Sequence, residues 1–158
     1  MELMRFQDEH ASELVNWFQT KEESLMWGGR VFDWPLNQSS IIQRATEDNL
    51  QFLTLVEGTQ VFGFIEFQRM SLTEVRLCRV AIHPAVRGKG LGRQLIQLSL
   101  LKIKALPHVT LVTLAVFQRN VVAKNCYESF GFQVTNKAPH VKVFDGREWP
   151  VYQMELAL

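Results

Sequence analysis

The chain has 158 residues, 47% of them apolar and 21% charged, which fits one compact globular domain over residues 1–158 and excludes a disordered chain. Its 17 Lys and Arg against 16 Asp and Glu leave a formal net charge of +1, so no global field draws it to nucleic acid or to anionic lipid, and any anion must be held locally. No apolar run reaches the ~18 residues of a membrane span, Met1–His10 lack the apolar stretch of a signal peptide, and Cys78 and Cys126 show neither metal-ligand spacing nor a disulfide framework; a cytoplasmic protein with no metal and no membrane partner is expected.

Leu3–Phe6 reads as a short strand, and Asp8 as the N-cap of a helix that places Ala11, Leu14, Val15 and Phe18 at helical spacing. Leu25–Pro35 contains Gly28-Gly29 with Trp27, Phe32 and Trp34 and reads as an aromatic loop. Ser39 or Ser40 caps a short second helix ending near Glu47. Gln51–Val56 and Gln60–Phe67 are β-rich and joined by Glu57-Gly58-Thr59, a hairpin signal. Glu74–His83 is a fourth strand, ended by Pro84, which cannot donate to a ladder. Between Leu91 and Lys104, Leu91, Leu95, Ile96, Leu98, Leu100, Leu101 and Ile103 form a broad apolar helix face suited to lying on a sheet. Thr110–Phe117 is a β-branched strand. Ala123, Cys126, Tyr127 and Phe130 then mark a helix face that Gly131 terminates. His140–Phe144 and Trp149–Leu156, around Asp145-Gly146, form a closing hairpin. The fold class is α/β of the α+β type with a largely antiparallel sheet.

The segment Arg87-Gly88-Lys89-Gly90-Leu91-Gly92-Arg93 lies between a strand and a helix. Glycines at alternate positions let the backbone turn tightly and approach a ligand, and the helix start adds unpaired N–H groups and partial positive charge. The result is a cradle for phosphate or pyrophosphate, with Arg87, Lys89 and Arg93 as counter-charge. A Walker loop is excluded because Gly90, and not Ser or Thr, follows Lys89. A dinucleotide fingerprint is excluded by the G-x-G-x-G spacing and the absence of a carboxylate in His108–Thr113.

The stretch RVAIHPAVRGKGLG resembles the strand and pyrophosphate-loop motif R/Q-x-x-G-x-G/A of the GNAT superfamily of N-acetyltransferases, filled by Arg87, Gly90 and Gly92. About 30 residues on, Asn120, Ala123, Tyr127, Gly131 and Phe132 fill a pattern similar to that family's N-x-x-A-x-x-x-Y-x-x-x-G-F. The resemblance implies a mixed, mostly antiparallel sheet of about seven strands with about four helices, splayed between strands 4 and 5, and acetyl-CoA as acetyl donor. It implies that the main chain of Val80 and Ile82 pairs with the pantetheine arm as a substitute strand. Residues 87–93 would hold the pyrophosphate, and Asn120 would bond the pantetheine while also capping its helix. Tyr127, seven residues on and therefore on the same helix face, would protonate the leaving thiolate.

An alkylammonium of pKa ~10 must lose a proton before its nitrogen can attack. The positions where many relatives carry a base hold Cys78 and Ala115 here. Glu74, on the strand face of Arg76 and Cys78, is the first candidate base, Glu66 the second and water the third. With no histidine at a predictable distance from either thiol, direct transfer is favoured over an acetyl-cysteine intermediate. Trp27, Phe32 and Trp34 are candidates for an apolar acceptor pocket. The expected activity is transfer of acetyl from acetyl-CoA to a primary amine of a small molecule or a protein N-terminus; proteins of this kind are commonly homodimers. The alternative is a non-catalytic acyl-CoA-binding or regulatory domain that kept the cleft without its base.

Overall fold

Strand signals from both ends of the chain meet in one sheet of eight strands. The computed structural model describes residues 1–135 and 140–158. Its strands are β1 (Glu2–Arg5), β2 (Leu50–Glu57), β3 (Gln60–Arg69), β4 (Glu74–Ile82), β5 (Leu111–Phe117), β6 (Gln133–Val134), β7 (His140–Phe144) and β8 (Arg147–Ala157). They run in the order β1-β2-β3-β4-β5-β8-β6, with β7 paired on β8. Among the described residues β4 and β5 are the one parallel pair. A parallel pair requires a crossover, and α4 (Leu91–Lys104) supplies it.

Period-two burial assigns the two faces. Leu53, Leu55, Ile65, Val75, Leu77, Val112, Leu114 and Met154 point to one side and pack with Leu95, Ile96, Leu100 and Ile103 of α4 and Tyr127 of α5 (Val121–Ser129). On the other side Phe52, Val56 and Phe64 are covered by Ala11 and Leu14 of α1 (His10–Leu14) and Ile41 of α3 (Gln38–Arg44). Beyond β3 this second face turns polar. Glu74, Arg76 and Cys78 alternate onto this face of β4; Glu74 and Arg76 are in register with Leu111 and Thr113 of β5, and Ala115 of β5 with Gln153 of β8. The cover there is α2 (Lys21–Gly28) and the β7 strand. No helix among the described residues is long and apolar enough to cross a membrane.

Several expectations need correction. Five α-helices form, one more than the approximate four, because Lys21–Gly28 is helical, and its residues from Leu25 on fall in the segment Leu25–Pro35 expected as an aromatic loop. Thr20 caps it by accepting from the Glu23 amide at 3.1 Å, and the Glu23 carboxylate accepts from the Gln19 amide at 2.7 Å, nearly a full capping box. Asn37, not Ser39 or Ser40, caps α3. Asp8 gives no side-chain cap to α1, which starts after Glu9. The eighth strand is the two-residue β6, too short to show a period. Leu101 points to solvent, so the apolar face of α4 is narrower than its leucine content suggests.

Candidate active cleft

The cleft begins where two strands part. Pairing of β4 with β5 runs from Glu74–Leu77 against Leu111–Leu114 and stops. On its other side β4 carries a bulge: Phe64 faces Ala81 and Glu66 faces Cys78, so three steps of β4 match two of β3. The extra residue falls at Arg79–Val80, and Arg79 takes φ of 51°. A bulge bends its strand and strengthens local twist, which turns β4 away from β5 and leaves the inner backbone edge of Cys78–Ile82 without a strand partner. A non-glycine residue at positive φ costs on the order of 1–3 kcal/mol and persists only where its surroundings hold it. Here the Arg79 carbonyl accepts from Trp27 Nε1 at 2.8 Å, and its guanidinium pairs with Glu66. Glu66 is fully buried, and its oxygens also receive Arg44 Nε at 2.9 Å and Gln68 Nε2 at 2.9 Å. Buried and paired with two guanidiniums, Glu66 is not among the residues lining the cavity between the strands.

The parting strands enclose a cavity of about 380 Å³. Val80, Asn120, Ala123 and Tyr127 line one part of it; Gln68, Arg76, Cys78 and Lys142 line the part on the polar face, with Trp27–Val31 at its rim. Asn120 is the N-cap of α5, its Oδ1 accepting from the Ala123 amide at 3.2 Å, and it still borders the cavity, so the two roles expected of it coexist. Val80 lines the cavity; Ile82 follows it along the unpaired edge, with its carbonyl accepting from Arg87 Nε at 3.2 Å.

The glycine loop stands at the start of α4. Gly88 and Gly90 have φ of 78° and 82°, conformations that glycine adopts without penalty. No side chain caps α4, and among the described residues no acceptor meets the amides from Gly88 to Arg93. Six consecutive unpaired N–H groups at the start of a 14-residue helix fit a pyrophosphate. Lys89 is exposed there, whereas Arg93 turns toward α5, bonding Ser129 and lying 4.7 Å from the Phe130 ring centre.

Tyr127 is 8% exposed, and no hydrogen bond to a described residue holds its hydroxyl. Burial first, and then the neighbouring Cys126 and Cys78, raise its pKa above the ordinary phenol value, so the hydroxyl keeps its proton and faces the cavity as a donor. Burial likewise raises the Cys78 thiol, despite Arg79 and Arg76 nearby; a protonated thiol is a poor nucleophile. The Lys142 ammonium is lowered, chiefly by burial and then by Arg79 and Arg76.

The other expected site residues lie elsewhere. Glu74 shares the sheet face of Cys78 but starts the strand four residues earlier, roughly 13 Å back along it. Its carboxylate accepts from Thr113 Oγ1 at 2.9 Å, and it is not among the residues lining the cavity. Of the aromatic trio only Trp27 borders the cavity. Phe32, 6% exposed, stacks on Trp27 with ring centres 5.5 Å apart, and Trp34 is 38% exposed outside it. Sequence reasoning missed Gln68, Arg76, Arg79 and Lys142. The two-residue period from Glu66 and Cys78 points to Gln68 and Arg76; nothing local marks Arg79 or Lys142.

A model of the acetyltransferase (GNAT) domain matches residues 9–156. Among solved structures, the spermidine N-acetyltransferase of Vibrio cholerae, in complex with CoA and spermine, superposes with a TM-score of 0.81 at 18% identity, over 98% of this chain and 94% of that one. The yncA protein of Salmonella typhimurium, with its cofactor acetyl-CoA, superposes with a TM-score of 0.77 at 19% identity, over 98% and 92%.

Proposed function

The chain belongs to the GNAT acetyltransferase family, with acetyl-CoA as donor, and from that premise we propose that it transfers acetyl directly to a primary amine within the cleft between β4 and β5. The observation that carries this reading is one cavity, lined by Val80 of the unpaired β4 edge and by the protonated, unengaged Tyr127, with the unpaired loop amides at the start of the helix that follows β4. Bound acetyl-CoA supplies an activated acyl group. The amides of Gly88–Arg93, with Lys89 and Arg87, would hold the pyrophosphate. The backbone of Val80 and Ile82 and the Asn120 side chain would take the pantetheine amides.

The acceptor nitrogen adds to the thioester carbonyl, the C–S bond breaks, and the departing sulfur takes the Tyr127 proton, which water restores. The ammonium proton leaves to water, since no Asp or Glu among the described residues lines the cavity. Glu74 is engaged by Thr113 outside it and could act only at the far end of a water chain. Burial keeps Cys78 protonated, which supports direct transfer over an acetyl-cysteine route.

Thiol release from acetyl-CoA in the presence of an amine panel tests the proposal. Amine-dependent release supports it. Stabilisation by CoA with no release on any amine would leave the non-catalytic binding module as the better reading.

A further inference from the structure

The chain as a whole is almost neutral, yet the cavity is not. Arg30, Arg76, Arg79 and Lys142 line it, and among the described residues no Asp or Glu does. Residues 136–140, Asn-Lys-Ala-Pro-His, add no carboxylate by sequence. Arg79 is neutralised by the buried Glu66, although its Nε is buried without a partner among the described residues. Arg76 and Lys142 form no ion pair with a described residue. Arg76 donates to Gln153 Oε1 at 3.2 Å, and Lys142 lies 5.9 Å from the Phe117 ring centre. Arg30 donates to the Val143 carbonyl at 2.7 Å at the rim.

We propose that the acceptor is an anionic amine, one bearing a carboxylate or phosphate that Lys142 and Arg76 bind beside the reacting nitrogen, and not a polyamine. The proposal rests on the acetyl-transfer reading above and specifies its substrate class. Cations gathered in a half-buried cleft repel one another and are poorly hydrated; burial and the two guanidiniums already disfavour the Lys142 ammonium. A bound anion relieves that repulsion and gains charge-assisted hydrogen bonds. A polycation meets the same cluster with like charge and finds no carboxylate to bind.

The test uses purified protein, acetyl-CoA and four acceptors: β-alanine, O-phosphoethanolamine, ethanolamine and spermidine, each corrected for its free-amine fraction. Either anionic amine should exceed ethanolamine in kcat/KM by at least about tenfold, the worth of one hydrogen bond to a charged group, with spermidine the poorest. The better of the two anionic amines identifies carboxylate or phosphate. Lys142→Met and Arg76→Gln should each lower kcat/KM on that substrate by about 10–100-fold, mainly through KM. They should leave ethanolamine within about threefold and the stabilisation by CoA intact, and Lys142→Arg should restore most of the loss. Preference for ethanolamine or spermidine, or an equal loss on charged and uncharged acceptors, overturns the proposal. If no amine is turned over, melting of the CoA-loaded protein with N-acetyl-β-alanine, N-acetyl-O-phosphoethanolamine or N-acetylethanolamine reads the same site. Stabilisation by an anionic ligand alone, lost in Lys142→Met, supports the proposal, and no difference overturns it. Failure of CoA itself to stabilise the protein instead overturns the acetyl-transfer reading.

Discussion

Replacing Tyr127 with Phe removes one oxygen from a side chain that is 8% exposed and has no described hydrogen-bond partner for its hydroxyl. The ring remains, with its edge-on contact to Phe132 at 5.9 Å, so stability should change by less than about 1 kcal/mol. Chemistry should change far more. Without a proton the thiolate must leave as an anion beside a buried apolar wall, and loss of a positioned general acid costs about 10²–10⁴-fold, equivalent to roughly 2.7–5.4 kcal/mol of barrier. The assay is thiol release at saturating acetyl-CoA and amine, with a melting curve in CoA as the binding control. The wild-type rate should rise with pH as the amine deprotonates. Any falling limb due to Tyr127 belongs above the ordinary phenol value of ~10, since burial raises that pKa. Undiminished turnover in Tyr127→Phe, with chemistry shown to limit the rate by the absence of a product burst, would refute the acid role.

CoA at a hundredfold excess over its Kd should stabilise the protein by about 2.7 kcal/mol, and Gly90→Val should abolish that shift in a thermal melt. Space around Gly90 is free, so the substitution acts through φ of 82° and the aim of the amides, not through a core clash; an unchanged shift would contradict the loop assignment. Glu66→Gln should lower stability by about 3–5 kcal/mol, because Arg79 and Arg44 lose their buried counter-charge, seen as a fall of roughly 6–20 °C in Tm. Glu74→Gln should leave the neutral-pH rate within about threefold, while a deep loss at neutral pH that recovers at high pH would place Glu74 at the end of a proton path.

The parts legible in sequence were those whose signals are local. Alternate glycines before an apolar helix marked the candidate anion loop, and the seven-residue spacing put Asn120 and Tyr127 on one helix face, while their place beside the cavity was implied only by the family resemblance. Helix α2 carried its own signal, Thr20 followed by Glu23, but Gly28-Gly29 and the aromatics beside it argued for a loop. The bulge was illegible because it depends on an assembly from three places in the chain: Arg44 on α3, Glu66 on β3 and Trp27 on α2 meet only in the fold. Lys142 reaches Arg76 and Cys78 because β7 folds back on β8, which a short hairpin pattern does not disclose. Glu74 illustrates the limit of face arithmetic: the period gives its side of the sheet correctly but not its distance along the strand from the cavity.

The most direct measurement follows isotopically labelled acetyl-CoA with an amine acceptor and counts three quantities together: free thiol, N-acetylated product and acetyl retained on protein. Direct transfer predicts thiol and N-acetyl product in equal amounts, both dependent on the amine, with no label on Cys78 or Cys126. Label trapped on a cysteine, or CoA binding with no acetylated amine from any acceptor class, would contradict it.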